Sequence, residues 1–283
     1  MKIAIASGKG GTGKTTIATN LACSIANTDR IVQYLDCDVE EPNGHIFLKP
    51  DIEETEDVTV GVPEVDTKLC NGCGKCGQLC QYSAIICLKD KALVFEQLCH
   101  SCGGCMAICP QAAIKEKQRR IGTAEFGRAD GIYFGAGKLD IGTIQSPALI
   151  KHVKRKAIDD GTVVIDVPPG TSCPVIEAVK GADFVLLVTE PTPFGLNDLE
   201  LAVEMVRELK QRFAVVINRC DIGDDRVARY CQQQNIEILL EIPNDRLVAE
   251  AYSQGIKIID ALPGYEEKFL QLYQKINARV AVK

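Results

Sequence analysis

The chain of 283 residues is poor in several features that would settle its class early. No apolar run approaches the roughly 18 residues needed to span a membrane, so no segment reads as transmembrane. The opening Met-Lys-Ile-Ala-Ile-Ala-Ser-Gly stays apolar for only a few residues before glycines and Lys9, and reads as a buried first strand, not a secretory signal. Positive charge is not in excess: the net charge of −6 argues against generic nucleic-acid binding. There is no low-complexity segment, and no Cys-x-x-Cys pair occurs after Cys109.

Cysteine is what the chain has in abundance, with 14. Eight of them fall in two dense runs, "CNGCGKCGQLC" (Cys70, Cys73, Cys76, Cys80) and "CHSCGGCMAICP" (Cys99, Cys102, Cys105, Cys109). Neighbours this close do not suit ordinary disulfides, so a reduced, cytoplasmic protein that holds metal with thiolates is expected. Both runs have the C-x2-C-x2-C-x3-C spacing of bacterial ferredoxins, in which one short loop sets three thiolates on one cubane face. The fourth cysteine of each run ligates the other cluster in two-cluster ferredoxins. One 4Fe–4S cluster is therefore expected on Cys70, Cys73, Cys76 and Cys109, and a second on Cys99, Cys102, Cys105 and Cys80. Zinc also takes Cys-x-x-Cys pairs, but has no need of the third and fourth cysteines at a repeated spacing. Gln81 stands where the first run would ordinarily have proline. Cys23, Cys37, Cys87, Cys173, Cys220 and Cys231 read mostly as small buried hydrophobes, Cys173 excepted because of the loop it occupies.

The other motif is "GKGGTGKTT", which satisfies Gly-x-x-x-x-Gly-Lys-Thr from Gly8 to Thr15 after a strand and before a helix. Glycines let successive N–H groups turn toward phosphate oxygens, and the helix N-terminus adds partial positive charge. ATP is thus expected on Gly8, Lys9, Gly10, Gly11, Thr12, Gly13, Lys14, Thr15 and Thr16, with Lys14 reaching the β- and γ-phosphates and Thr15 offering its hydroxyl to Mg²⁺. Asp166, at the end of an apolar strand and before Pro-Pro-Gly, is placed as a Walker-B acid for Mg²⁺. Asp36 and Asp38 end the preceding strand, where one of them can orient water or hold the metal.

Strand, glycine loop, helix and strand follow one another from residue 1, and short apolar strands alternate with helices again after about residue 160. Helices are expected over 14–26, 196–210, 224–234, 245–254 and 265–278. The fold class expected is α/β, a doubly wound and mostly parallel sheet of P-loop NTPase type with a small ferredoxin-like domain inserted. The acidic "DIEETED" and basic "KEKQRR" read as solvated flanks of the insert, giving 1–60, 61–118 and 119–283 as first part, insert and second part. "IGTAEFGRADGIYFGAGKLDIGTIQSPALIKHVKRK" reads as a surface loop and crossover helix, or as a partner surface.

The early lysine of "SGKGGTGKTT", with "DCDVEEPN" and "DVPPGT", resembles the deviant Walker-A ATPases, which include MinD and ParA proteins, the nitrogenase iron protein and Mrp-type iron–sulfur carriers. "TEPTPFGLNDLE" and "IPNDRLVAEAYSQGI" extend the resemblance over nearly the whole chain, toward MinD-superfamily ATPases with an inserted ferredoxin domain. The resemblance implies that Lys9 reaches across an ATP-dependent homodimer to the other subunit's nucleotide, as an arginine finger does in trans. It also implies that Asp38 activates water, joining Lys9 and Lys14 in catalysis, and that Asn218 bonds adenine with help from Asp221. The activity expected is slow, partner-stimulated ATP hydrolysis coupled to electron transfer toward a redox or metallocluster partner. A cluster carrier of Mrp type and a MinD-like positioning switch, anchored by the mildly amphipathic segment 265–283, are the alternatives.

Overall fold

The computed structural model describes residues 1–281; positions 282 and 283, which end the second expected part and the amphipathic segment, lie outside the described residues. In chain order the elements are β1 (Lys2–Ala6), α1 (Lys14–Ala26), β2 (Val32–Asp36), α2 (Gly44–Leu48) and β3 (Asp51–Val65). There follow α3 (Lys75–Leu79), β4 (Ile85–Leu88), β5 (Lys91–Val94), α4 (Gly104–Ile108), β6 (Ile114–Ala129) and β7 (Ile132–Leu139). The last third holds α5 (Ser146–Arg155), β8 (Thr162–Asp166), α6 (Cys173–Val179), β9 (Phe184–Thr189), α7 (Pro193–Glu208) and β10 (Phe213–Asn218). It closes with α8 (Arg226–Gln233), β11 (Ile238–Ile242), α9 (Arg246–Ser253), α10 (Ile258–Ala261) and α11 (Tyr265–Ala281).

One sheet has the order β11-β10-β9-β1-β8-β2-β7-β6-β3, and β4 and β5 form a separate antiparallel pair. The central strands pair in parallel, with Ile5 opposite Asp166 and Asp36 opposite both Asp166 and Ala136. Parallel strands covered on both faces are apolar along their whole length, and β2, β8 and β9 are buried at every residue. Helix α1 lays Ile17, Leu21 and Ile25, all fully buried, into the core. Each such side chain contributes roughly 1.5–3 kcal/mol. Helix α11 buries Tyr265, Phe269, Leu272, Tyr273 and Ile276 in the same core, so its apolar face is occupied by its own unit. Among the described residues no helix is long and apolar enough to cross a membrane.

The chain divides into two compact units, one of residues 1–55, 124–138 and 150–283, the other of 56–123 and 139–149. The second has a small core of Cys76, Ile85, Ala92 and Ile114, against which Cys70, Cys80, Cys105 and Cys109 pack.

Two expectations are corrected. "DIEETED" and "KEKQRR" are not solvated linkers but parts of β3 and β6, at one end of the sheet, with charged side chains at successive positions and hence on both faces. The stretch read as a surface loop is β6 continuing through a two-residue turn into β7. Asp130 (φ 47°) and Gly131 (φ 81°) are both left-handed, as a tight antiparallel hairpin requires.

Candidate functional site

The carboxyl ends of β1, β2, β8, β10 and β11 meet around one open cleft of about 410 Å³. This is the edge at which open α/β sheets take ligands. Gly10, Gly11, Gly13, Lys14, Thr15 and Thr16 line one side with Asp38, and Asn218, Pro243, Asn244, Val248 and Tyr252 line the other. Gly11 (φ 79°) and Gly13 (φ 90°) are left-handed, and a Cβ at Gly13 would come within 2.4 Å of the Asn218 amide nitrogen. Gly8 is held from behind: a Cβ there would meet the Asp198 carbonyl oxygen at 2.1 Å. Gly8, Lys9 and Thr12 do not line the cleft itself, and Thr12 is buried beneath the loop.

The Lys14 ammonium, 7% exposed, donates to Asp166 Oδ1 at 3.1 Å and to Asp38 Oδ2 at 3.4 Å. Burial alone would lower its pKa, but Asp166 and Asp38 more than offset that, and the net shift is upward. Asp38 is itself raised, by burial against the opposing pull of Lys14. Asp166, fully buried, also accepts from the Tyr34 hydroxyl at 3.0 Å. The P-loop lysine is thus in place and charged, between the two acids that sequence assigns to Mg²⁺.

Asp36 has a different task from the one open to it in the sequence. Its carboxylate is fully buried and accepts from the backbone N–H groups of Asp38 (3.1 Å), Asn43 (3.1 Å) and Gly44 (2.8 Å). It folds the 37–44 loop and presents nothing to the cleft. Burial first, then the Asp166 charge, pushes its pKa up to about 8.

Asn218 Nδ2 donates to the Thr12 carbonyl at 2.9 Å, tying the end of β10 to the P-loop. Asp221 stands back from the cleft and accepts from Asn244 N–H at 2.6 Å, which fixes the loop before α9. Lys9, a third exposed, lies 4.0 Å from Glu190, whose other oxygen holds Arg219 at 2.8 Å. Glu190, a buried carboxylate between two cations, drew no attention in the sequence, because a single glutamate after a strand carries no pattern. Cys173 is exposed at the start of α6.

In the second unit the two cysteine runs fold alike. Gly74 (φ 76°) and Gly103 (φ 72°) start the one-turn helices α3 and α4, which carry Cys76 and Cys105. Cys80 and Cys109 end them with near-identical extended backbones. The structure brings Cys70, Cys73, Cys76 and Cys109 together around one cavity. Cys80, Cys99, Cys102 and Cys105 line another. Backbone amides point at sulfur: Ala113 N–H donates to Cys109 Sγ at 3.3 Å and Ser101 N–H to Cys99 Sγ at 3.4 Å. Burial opposes ionisation of Cys80, but the N–H groups of Tyr82, Ile85, Ala84 and Ser83 outweigh it and hold its thiol below the usual value. Such donors favour a thiolate over a thiol and suit metal ligation. Among the described residues no three His, Cys, Asp or Glu side chains converge on a single-ion site.

The first cavity has a fifth cysteine, Cys87, which sequence reading placed among the buried hydrophobes. Alternation along β4 was the available signal, since a residue two positions from Ile85 shares its face.

An uncharacterised protein of Methanocaldococcus jannaschii is 34% identical over 280 residues, covering 98% of this chain and 96% of its own. The iron–sulfur cluster carrier protein of Pyrococcus horikoshii is 25% identical over 295 residues, covering 97% and 85%. Among solved structures, the septum site-determining protein MinD of Pyrococcus horikoshii with Mg-ADP shares the fold, with a TM-score of 0.61 at 19% identity over 97% of this chain and 95% of that one. The family profile described as CobQ/CobB/MinD/ParA nucleotide binding domain matches residues 3–258. With that span matched, and with the P-loop, its lysine and Asp38 lining one cleft while Asp166 holds the lysine from a fully buried position, the chain belongs to the CobQ/CobB/MinD/ParA nucleotide-binding domain family.

Proposed function

We propose that the chain is an ATP-hydrolysing iron–sulfur protein in which a nucleotide-dependent homodimer switch is coupled to electron transfer through two 4Fe–4S clusters. The observation that carries this reading is that the eight cysteines of the two runs divide four and four between two cavities, each of which draws its fourth run cysteine from the other run. In this reading residues 61–118 are a ferredoxin-like insert between the two parts of the ATPase, 1–60 and 119–283. The apolar clusters around the cysteines are small, Cys76, Ile85, Ala92 and Ile114 in one and Val62, Ala84 and Cys99 in another, and bound metal would add to what they contribute.

The clusters, when bound, supply one-electron redox chemistry; the remaining work falls to the chain's own residues. Lys14 and the P-loop amides take the phosphates, Thr15, Asp38 and Asp166 hold Mg²⁺, and Asp38 orients the attacking water. Asn218 and the Pro243–Asn244 loop take the base. Lys9, a third exposed and 4.0 Å from Glu190, is free to swing to the partner subunit's nucleotide. Hydrolysis is slow until a redox partner docks, and the protein works in the cytoplasm.

A second reading is that the clusters are cargo, and the relatives named iron–sulfur cluster carrier proteins favour it. Thiols packed into the core of their unit favour resident clusters instead. Anaerobic reconstitution is expected to give about eight iron and eight sulfide per chain, with two paramagnetic centres on reduction. Zinc uptake without sulfide would reject the cluster reading. Transfer of cluster to an apo-protein faster than spontaneous decay would move the assignment to the carrier.

A further inference from the structure

A cubane takes four protein thiolates, yet the first cavity is lined by five. Strand β4 places the fifth. Ile85 is 1% exposed while Leu88 is 55% exposed, so the odd positions face inward and Cys87 shares the face of Ile85. Its cross-strand neighbour is Ala92, a member of the same small core, which confirms that face from the partner strand. Cys87 Sγ lies 3.3 Å from the carbonyl oxygen of Gly72, to which its S–H donates. The residue after Gly72 is Cys73, the most solvent-accessible of the first cavity's four expected ligands, in the loop between the left-handed Gly72 (φ 68°) and Gly74 (φ 76°). An exposed thiolate on a glycine-hinged loop is the one most open to oxidation and loss. Cys87, a half-buried thiol bonded to the residue before Cys73, is the one thiol on this cavity without an expected cluster iron.

We propose that Cys87 is a reserve ligand for the first iron–sulfur site, taking over the iron position of Cys73 when Cys73 is lost or modified. The inference rests on the reading that this cavity holds a cluster. The exchange balances without any change of oxidation state. Cys87 gives its thiol proton to solvent and its sulfur lone pair to iron, while the Cys73 thiolate leaves and takes up a proton.

The test compares wild type, Cys73→Ala, Cys87→Ala and the double variant after anaerobic reconstitution with iron and sulfide. Iron is counted, the reduced protein is examined by EPR, and thiols are footprinted by alkylation and mass spectrometry. Wild type and Cys87→Ala are expected to hold about eight irons and Cys73→Ala about eight with a shifted first signal, while the double variant falls to about four. Cys87 is expected to alkylate in wild type and to be protected in Cys73→Ala. Loss of iron in Cys73→Ala to the level of the double variant overturns the proposal, as does loss of the first cluster in Cys87→Ala alone. A wild type that takes up no iron instead removes the reading on which it rests, so the two failures are distinguishable.

Discussion

Lys14→Ala is expected to cost the nucleotide-free protein about 3–5 kcal/mol, as well as its affinity for Mg-ATP. The reason lies beneath the P-loop. Among the described residues Lys14 is the cation that pairs with both Asp166, which is fully buried, and Asp38, which lies largely buried on the cleft wall. Removing the ammonium leaves the Asp166 and Asp38 carboxylates without their cation. Its loss is therefore expected to be a structural defect as well as a functional one. Urea unfolding of the apo-protein, followed by signals from the nucleotide-binding unit, measures the effect. The double variant Lys14→Met, Asp166→Asn is expected to recover a large part of it, since it removes charge from both sides. A loss below about 1 kcal/mol in the single variant would mean that the acids find other partners.

Lys9→Ala has its large effect elsewhere. It is expected to slow ATP hydrolysis about 1000-fold, the lower end of what a cation supplied in trans contributes. Nucleotide affinity is expected to change less than about threefold, because Lys9 does not line its own subunit's cleft. The variant should remain monomeric in Mg-ATP where wild type dimerises, which sedimentation velocity reports. Lys9→Arg should not restore the rate fully, since the guanidinium fork differs in length and shape from an ammonium. Unchanged hydrolysis in Lys9→Ala would assign Lys9 to its own subunit, as a simple partner of Glu190.

The parts of the fold most legible in sequence were those where one local pattern has one physical meaning. Glycines before Lys14, an apolar strand ending in Asp166, and cysteines at ferredoxin spacing each impose their geometry whatever surrounds them. Charged strands were illegible for the opposite reason. In β3 and β6 the side chains of Glu53, Glu54, Lys115 and Arg119 decorate strands whose backbone pairing composition does not reveal, so charge was mistaken for a linker. The Asp130-Gly131 turn between alternating residues was the signal that could have corrected this. Asp36 was half legible: its place at a strand end is visible, but only the structure shows three N–H groups closing on it. Cys87 was misassigned because a single cysteine in an apolar run looks like packing until Ile85 and Ala92 fix which way it faces.

Coupling between nucleotide and clusters is the centre of this account, and the midpoint potentials of both clusters test it most directly. They are measured anaerobically by EPR-monitored titration, without nucleotide, with Mg-ATP and with a non-hydrolysable analogue. The account predicts a shift of at least about 59 mV in one cluster on binding the analogue, tenfold for one electron and roughly 1.4 kcal/mol of coupling. It further predicts that Lys9→Ala, which binds nucleotide without closing the dimer, abolishes the shift. Identical potentials in all three states of the wild type would contradict the account and leave the nucleotide to act through partner docking or cluster handover.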